Sequence, residues 1–338
     1  MLKIAGDICL TDNYFDIGYG VGSSIIKGSI PFRKLQKKDS DVWVGNCECV
    51  ISDFSVYSNY RKYCFRISPI HLYPCRFIDY YCVANNHVME HGAEAYRDTC
   101  NNLLTLSKGY FGSKEQRTIS FEHQSQIVSI TSFSLRKDSV NFEPLYWCFP
   151  ELDEIEEEYK KLDSDFKIVY LHWGVEFINF PHIEQIRLAH WLIDLGFDLV
   201  IGLHPHILQG YEIYKRKYIF YSLGNFVFDM GWRPTSYSAI VSVDLSSQKV
   251  LYHYVKIDSS FHPQIVSVDN VPEKYRFEYL NALIGQINNV EEYIKHSSQG
   301  LKKYRRFNRT YFVGNIYRNK FHFIGSILID FVKRKLHL

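Results

Sequence analysis

The sequence predicts an α/β fold whose sheet is buried on both faces. Short apolar segments, with the β-branched and aromatic content of buried strands, alternate with segments of helical pattern. Nearly continuous apolar strands of this kind are typical of sheets that are covered on both sides. The early strands also end at glycine and polar residues. Ligands of α/β sheets bind at the carboxyl ends of the strands, so the pattern also predicts where a site lies.

The composition fits one large packed domain with an appendage. The chain has 338 residues, of which 46% are hydrophobic and 16% aromatic, so a globular core is expected. No window approaches the roughly 20 uninterrupted apolar residues of a membrane span. The first residues lack the apolar region and cleavage site of a signal peptide. We therefore expect a cytoplasmic protein with reduced, mostly buried cysteines.

The predicted elements follow one order along the chain. Strands are predicted at 2–5, 42–44, 80–84, 126–133, 167–171, 199–201 and 218–223. Helical segments are predicted up to residue 106, over 151–162, and over 182–195, where Pro181 precedes the helix and Gly196 closes it. Strands at 239–245, 250–257 and 264–268 alternate in polarity and are predicted to be antiparallel, and 272–297 is predicted to be helical.

Polar side chains recur at six of the predicted strand ends. They are Asp7, Asn46, Glu48, Asn86, His87, His172, His204, His206 and Asn225. Any one of them can be a buried polar group with an ordinary hydrogen-bond partner. The presence of polar side chains at six strand ends favours a common site.

Two histidines flank a proline after the strand at 199–201. A residue before proline is held extended, so the sequence predicts that His204 and His206 present their rings to a common centre. Imidazoles placed in this way are typical metal ligands. The alternative is a pair of ordinary surface histidines on a loop.

The motifs resemble those of a known family. In order they read Gly6-Asp7, Asn46-Cys47-Glu48, Ala84-Asn85-Asn86-His87, His172-Trp173-Gly174 with Glu176, Gly202-Leu203-His204-Pro205-His206, and Tyr221-Ser222-Leu223-Gly224-Asn225-Phe226. The chain resembles the CapA family of bacterial capsule synthesis proteins, associated with poly-γ-glutamate capsules. That family is similar in fold to the calcineurin-like metallophosphoesterases, with layered β-sheets flanked by helices. We expect this domain over residues 1–257, a completing strand and helix over 258–301, and a basic tail over 302–338.

The resemblance implies roles for individual residues. It makes Asp7, Glu48, Asn86, His172, His204 and His206 ligands of one or two divalent ions, with Glu48 bridging. Mixed carboxylate, amide and imidazole ligands suit Mn, Fe or Zn. His87 is expected to transfer a proton, and Glu176 is an alternative base or else a solvated loop carboxylate.

Three positions depart from the expected pattern. Cys9 stands where metallophosphoesterases have a histidine, Leu203 where the capsule family usually has one, and Glu90 where that family tends to have Asp. The first change leaves one ion with only Asp7, Glu48 and His206.

Two functions fit these motifs. One is a metal-dependent hydrolase or transferase acting on a phosphorylated or amide-linked intermediate of capsule or surface-polymer synthesis. The other is a non-catalytic docking subunit of a capsule synthesis complex that keeps the fold. Expected partners are therefore a polymer precursor or small-molecule substrate and the capsule machinery.

The tail carries most of the positive charge. Residues 302–338 contain ten Lys or Arg and one acid, a charge of +9, whereas the whole chain is +2 and the body therefore −7. Apolar residues at near-helical spacing, Phe321, Phe323, Ile324, Ile327, Leu328, Phe331 and Val332, follow a basic cluster. This pattern fits a helix at the inner membrane face, and equally a helix packed on the domain. No nucleic-acid-binding motif accompanies the basic residues, so no nucleic-acid partner is expected.

Overall fold

A computed structural model describes residues 1–137, 143–286, 289–318, 323–325 and 329. The strands are β1 (Leu2–Ile8), β2 (Val42–Cys47), β3 (Val50–Ile51), β4 (Arg66–Ile67), β5 (Tyr80–Cys82), β6 (Gly109–Phe111), β7 (Thr118–His123), β8 (Gln126–Ser134), β9 (Phe166–His172), β10 (Leu199–Leu203), β11 (Tyr211–Tyr214), β12 (Lys217–Phe220), β13 (Asn225–Val227), β14 (Tyr237–Asp244), β15 (Lys249–Ile257) and β16 (Pro263–Ile265). The helices are α1 (Val21–Ile26), α2 (Gly92–Leu106), α3 (Leu152–Lys160), α4 (Ile183–Leu195), α5 (Phe277–Asn281) and α6 (Val290–Asn315).

The strands form two large sheets. The first has the order β16-β15-β14-β1-β2-β5-β6, with β13 also paired to β1. The second has the order β11-β12-β10-β9-β8-β7. Strands β1, β2, β5 and β6 run parallel to one another, as do β8, β9, β10 and β12. The predicted antiparallel arrangement of β14, β15 and β16 is confirmed.

The two sheets pack face to face, and helices cover their outer faces. Apolar side chains of β1 and β2, such as Ile4 and Val44, share one core with Ile168 of β9 and Ile201 of β10. Leu103 of α2 joins a core on the outer side of the first sheet. Helices α3 and α4 cover the outer side of the second sheet. The predicted class, α/β with layered sheets flanked by helices, is therefore confirmed. Each sheet is buried on both faces as expected, but one of its covers is the other sheet.

Helix α4 illustrates how local sequence sets an element. The His182 side chain accepts from the Glu184 backbone N–H (3.2 Å), and Gln185 Oε1 accepts from the His182 N–H (2.9 Å). This reciprocal cap begins the helix. Gly196, with φ of 127°, ends it at the predicted position because glycine tolerates positive φ.

The predicted helix over 272–297 is wrong. Two helices occupy this part of the chain, α5 and α6, with Gly285 between them at φ of 73°. A positive φ cannot continue an α-helix. The Asn289 side chain accepts from the Glu291 N–H (2.8 Å) and caps α6. Helix α6 then runs without a break through residues 301 and 302, where the tail was expected to begin.

One face of α6 packs on the body, and its basic residues face outward. The inward residues recur at helical spacing and include Tyr293, Tyr304 and Tyr311, whereas the cluster Lys302, Lys303, Arg305, Arg306 and Arg309 is exposed. Over this helix the structure agrees with packing on the domain. Of the apolar residues in the second half of the tail, Phe323 is buried beside Tyr63, with ring centroids 5.2 Å apart. Ile324 is also described, and the other five lie outside the described residues.

Candidate metal centre

Five potential metal ligands meet where strands of the two sheets end. Asp7 lies in β1, Glu48 directly follows β2, His172 ends β9, and His204 and His206 follow β10. None of the five is more than 1% exposed. The parallel strands bring their carboxyl ends to one edge of each sheet, and the face-to-face packing brings the two edges together. The surface-histidine alternative for His204 and His206 is therefore wrong.

The first group of ligand atoms surrounds His172. Its Nε2 lies 2.7 Å from Asn86 Oδ1, 3.1 Å from His204 Nδ1 and 3.6 Å from Glu48 Oε1. A single proton on His172 Nε2 cannot form hydrogen bonds to all three of these atoms, each of which has a lone pair. A cation shared by Glu48, His172 and His204 would satisfy them, and these three residues have ligand atoms within 4.8 Å of one another.

A second group shares Glu48 with the first. His206 lies 3.8 Å from Asp7 (Nδ1 to Oδ2) and 3.9 Å from Glu48 (Nε2 to Oε1). Asn46 Nδ2 donates to Asp7 Oδ1 (2.8 Å), and His206 Nδ1 donates to Asn225 Oδ1 (2.9 Å). The Asn225 contact leaves the Nε2 lone pair of His206 for the centre.

Glu176 forms a third group with the two histidines after β10. Its carboxylate lies within 4.8 Å of ligand atoms of both His204 and His206. Unlike the other acids of the centre, Glu176 is half-buried. It therefore lies at the solvent side of the cluster, where a base or a further ligand can act.

Burial controls the charge states of the cluster. It raises the pKa of Asp7, and together with the neighbouring Asp7 charge it raises the pKa of Glu48 well above the usual range. Burial also lowers the pKa of His172 and of His204 well below the usual range. The imidazoles of His172 and His204 are thus neutral and can bind a cation, whereas the two carboxylates need positive charge nearby in order to ionise.

Three buried atoms of the cluster have no hydrogen-bond partner in the part of the chain that the structure describes. They are Oε1 and Oε2 of Glu48 and Nε2 of His204. An unpaired buried polar atom costs on the order of 1–3 kcal/mol, and more when it is charged. Carboxylate oxygens and a neutral imidazole nitrogen are acceptable ligands of Mn, Fe or Zn. The residues present therefore fit a divalent metal.

His87 lies at the edge of the cluster and is more exposed than the ligand histidines. Its side chain is 12% exposed, its Nδ1 lies 2.9 Å from Glu90 Oε1, and its ring stacks on Phe65 at 4.2 Å. Tyr14 donates to the other oxygen of Glu90 (2.9 Å). The imidazole is thus held on two sides and has one nitrogen, Nε2, left for proton transfer.

Two of the departures noted in the sequence lie in apolar surroundings. Cys9 is fully buried among core residues, and its Sγ lies 3.1 Å from Thr11 Oγ1. Among the described residues, Cys9 joins none of the three ligand groups. Leu203 packs in the core between the sheets.

Sequence reasoning missed two kinds of contributor. Asn85 Nδ2 donates to Asn46 Oδ1 (3.0 Å) and to the Cys47 carbonyl (2.8 Å), and so ties the ends of β2 and β5 together. Its place in the Asn-Asn-His motif was a signal. Phe177, whose ring lies 5.9 Å from that of His206, gave none, because a phenylalanine on a loop resembles any other core residue.

The His-Pro-His turn also differs from its predicted conformation. His204 has φ of 92° and His206 has φ of 59°, so His204 is not held extended by Pro205. The rings converge through two left-handed residues instead. Backbone contacts hold this turn, since the His204 N–H donates to Asp7 Oδ2 (3.2 Å) and Pro205 O accepts from the Phe177 N–H (2.9 Å).

Comparison with known families agrees with the order of these motifs. Residues 2–230 match the profile of the bacterial capsule synthesis protein PGA_cap. The chain belongs to this family. The family predicted from the motifs is therefore confirmed, and it is a family of CapA-like capsule and PGA biosynthesis proteins.

Two relatives from Bacillus illustrate the similarity. The PGA biosynthesis protein CapA of Bacillus subtilis is 35% identical over 176 residues, which cover 48% of this chain and 46% of that protein. The capsule biosynthesis protein CapA of Bacillus anthracis is 34% identical over 182 residues, covering 48% and 43%. Because the match spans less than half of each relative, the activity, substrates and partners of this PGA_cap-family chain are matters for proposal.

Solved structures give a weaker likeness. A phosphatase from Mycoplasma pneumoniae is 13% identical, with a TM-score of 0.44, over 76% of this chain and 92% of that one. A 5'-nucleotidase from Candida albicans is 13% identical, with a TM-score of 0.43, over 91% and 58%. Scores this low carry no conclusion.

Among the described residues, no helix combines the length and hydropathy needed to cross a bilayer.

Proposed function

We propose that this chain is a metal-dependent hydrolase or transferase that acts on a phosphorylated or amide-linked intermediate of capsule or surface-polymer synthesis. One observation carries the proposal. Glu48 belongs to two groups of buried ligand atoms at once, and neither of its oxygens has a hydrogen-bond donor among the described residues. A carboxylate buried in this way is stable when it neutralises bound cations.

The ligand sets divide between two positions that share Glu48. Asp7, Glu48 and His206 would hold one cation, and Glu48, Asn86, His172 and His204 the other, with Mn, Fe or Zn as the fitting metals. Such a cation acidifies water and polarises a phosphoryl or acyl oxygen. The protein's contribution is to fix these ligands, to keep His172 and His204 neutral and to exclude bulk water from the cluster.

His87 is proposed as the proton donor to the leaving group. Glu90 holds its Nδ1, so the proton at Nε2 is the one delivered to the leaving oxygen of a phosphate ester or the leaving nitrogen of an amide. Glu176, half-buried beside His204 and His206, is proposed as the base that takes a proton from the attacking nucleophile. Water as nucleophile gives hydrolysis, and a hydroxyl or amine of an acceptor gives transfer.

The experiment is metal analysis followed by an activity screen. Protein loaded separately with Mn²⁺, Fe²⁺ or Zn²⁺ is dialysed, its bound metal is counted, and the best form is assayed on aryl phosphate and γ-glutamyl anilide substrates. Metal affinity should fall in each of three variants, Glu48→Gln, His204→Ala and His206→Ala. The fall should be far larger than the roughly 10–100-fold that is typical of changes outside the ligand set. His190→Ala, a partly exposed histidine paired with Glu212, is the matched control. Wild-type metal content in all three ligand variants would disprove the assignment.

A separate variant tests the chemistry. His87→Ala should keep its metal and lose about 10²–10⁴-fold in kcat, the usual contribution of a general acid. Equal kcat in His87→Ala and wild type would remove His87 from the mechanism and leave the metal site standing.

A docking subunit is the second candidate function. The burial of the ligand cluster and the replacement of two expected histidines by Cys9 and Leu203 favour it. In that case the loaded protein binds metal but turns over no substrate of either class, and His87→Ala still supports capsule assembly in cells. The capsule machinery itself would then be the partner.

We also propose that the exposed basic residues of α6 hold the protein against an anionic surface, the inner face of the membrane. Lys302, Lys303, Arg305, Arg306 and Arg309 fall within eight residues and are all exposed. Each basic residue near anionic lipid contributes on the order of 1 kcal/mol.

A further inference from the structure

Helix α6 lies directly over the candidate metal centre. Its Tyr304 ring stacks on Phe177, with centroids 3.8 Å apart, and the Phe177 ring lies 5.9 Å from that of His206. His206, Phe177 and Tyr304 thus form a row of rings that runs from the ligand cluster to the helix. The Trp232 ring lies beside the Phe177 and Tyr304 rings, with centroid distances of 5.6 and 5.5 Å.

The helix backbone is shaped to approach this row. Gly300 faces the Phe177 carbonyl, and a Cβ atom at position 300 would lie 3.0 Å from that oxygen. Gly231 similarly accommodates Tyr311, because a Cβ there would lie 2.5 Å from the tyrosine ring. Glycine costs about 1 kcal/mol relative to alanine inside a helix, so Gly300 trades helix stability for close contact.

Further anchors hold α6 at both ends of this contact. Near its start, Tyr293 packs on Phe180 and His182, with ring centroids 5.6 and 4.5 Å apart. Near its end, the Tyr311 hydroxyl donates to Asp16 Oδ1 (3.0 Å). Among the described residues, the contacts that hold α6 in place lie on one face, and its opposite face is exposed.

Tyr304 lies in buried surroundings with acidic residues nearby. Burial raises its pKa, and the Glu176 carboxylate raises it further. Tyr304 thus covers the outer end of the aromatic row. The six ligands predicted from the sequence are at most 7% exposed: Asp7, Glu48, Asn86, His172, His204 and His206.

We propose that α6 is a lid over the ligand cluster and that Tyr304 is the residue that controls access to it. With the lid seated, only a small group can reach the centre past His87 and Glu176. A polymer chain requires the helix to lift. The proposal concerns access to the cluster, so it stands or falls independently of whether the centre hydrolyses anything.

The test measures access by histidine modification in the full-length, metal-free protein. Diethylpyrocarbonate acylates neutral imidazoles, and mass spectrometry gives the rate at His204 and His206, normalised to the partly exposed His190. Tyr304→Ala removes the cover. Gly300→Leu lifts the helix from Phe177 without altering any group of the site. Val313→Ala, at a helix position that is 68% exposed, is the control.

In both lid variants, diethylpyrocarbonate should modify His204 and His206 at least tenfold faster than in the wild type. The rates in Val313→Ala should match those in the wild type. His91, which is 1% exposed and outside the lid, must stay unmodified, which shows that each variant is folded. Tyr304→Phe should behave as the wild type because stacking rather than the hydroxyl seats the helix. Wild-type rates in both lid variants, or a wild type that already reacts as fast as His190, would overturn the proposal. A wild-type protein that binds no metal would instead count against the proposed function, and faster modification in both lid variants would still support the lid.

Discussion

His204 and His206 show how much the site constrains single residues. Both have positive φ, which is uncommon outside glycine and costs on the order of 1–3 kcal/mol per residue. The surrounding contacts, among them the hydrogen bond from the His204 N–H to Asp7, offset that cost. Strained residues persist where the structure around them is over-determined, and functional sites are the usual place.

Cys9 gives a prediction at this scale. Its side chain contacts Thr11 and the core, so Cys9→Ser should leave the number of bound ions per chain unchanged. If Cys9 were a thiolate ligand, the same variant would lose an ion, and Cys9→His would gain affinity. Metal counting after dialysis, with thermal unfolding to check the fold, separates the two cases.

At the scale of elements, strand β1 and the loop before β13 approach very closely. A Cβ at Gly6 would lie 1.8 Å from Gly224 O, the same carbonyl that accepts from the Asp7 N–H (3.1 Å). This contact sets the position of Asp7 relative to Asn225. The geometry of the cluster thus depends on position 6 having no Cβ atom.

Gly6→Ala is therefore predicted to destabilise the protein and to weaken metal binding together. The added methyl group has to displace backbone, which costs about 1–3 kcal/mol or more. Gly314→Ala is the matched control, because a Cβ at that helix position meets no described residue within 4 Å and should stabilise by roughly 0.5–1 kcal/mol. Urea unfolding and metal titration measure both effects. Unchanged stability in Gly6→Ala would show that the two strands separate easily.

At the scale of the whole molecule, a buried acidic cluster links α6 to the body. Asn13 Nδ2 donates to Asp16 (2.9 Å) and to Asp229 (2.8 Å), and Tyr311 of α6 donates to the other oxygen of Asp16. Burial raises the pKa of Asp16 to about 7 and that of Asp229 well above its usual range. The folded protein thus keeps protons that the unfolded chain releases above about pH 4.

The contribution of Asp16 and Asp229 to stability should consequently fall as pH rises from about 4 to about 7, whereas that of His172 and His204, whose pKa is lowered, rises over the lower part of this window. At these two acids the folded state binds more protons than the unfolded state, so their contribution to the free energy of unfolding decreases with pH. Asp16→Asn should reduce the decrease, because one of the two titrating acids is gone. Urea unfolding at pH 5.5 and 8 at fixed metal concentration measures this, and identical pH slopes in the two proteins would contradict it.

The basic face of α6 gives a prediction about the molecule's surroundings. Changing Lys302, Arg305, Arg306 and Arg309 to Gln should weaken sedimentation with anionic vesicles by at least 100-fold, given on the order of 1 kcal/mol per charge. Deleting the tail would also remove Tyr304 and Tyr311, so neutralisation is the cleaner change. The matched control places Gln at four basic residues that are at least 61% exposed elsewhere, Lys160, Lys161, Arg187 and Lys215.

Two results would contradict the membrane proposal. One is a wild-type protein that fails to bind anionic vesicles even at low salt. The other is equal binding by the α6 variant and the wild type. Binding lost equally in the control variant would show only a response to net charge.

The sequence by itself determined the family, the α/β class and the strand ends that carry the ligands. Hydrophobic strands and their polar ends are local patterns, so they can be identified without knowing what packs on them. Asp7, Glu48, His172, His204 and His206 could be grouped because parallel strands share one edge.

Only the tertiary structure decided how these residues meet and what covers them. Sequence pattern does not say whether a sheet is covered by helices or by another sheet, and here the second sheet brings His172 to Glu48. The helix break at Gly285 and the seating of Tyr304 on Phe177 depend on long-range contacts. Such contacts are decided by packing between segments far apart in the chain, where local propensity carries little information.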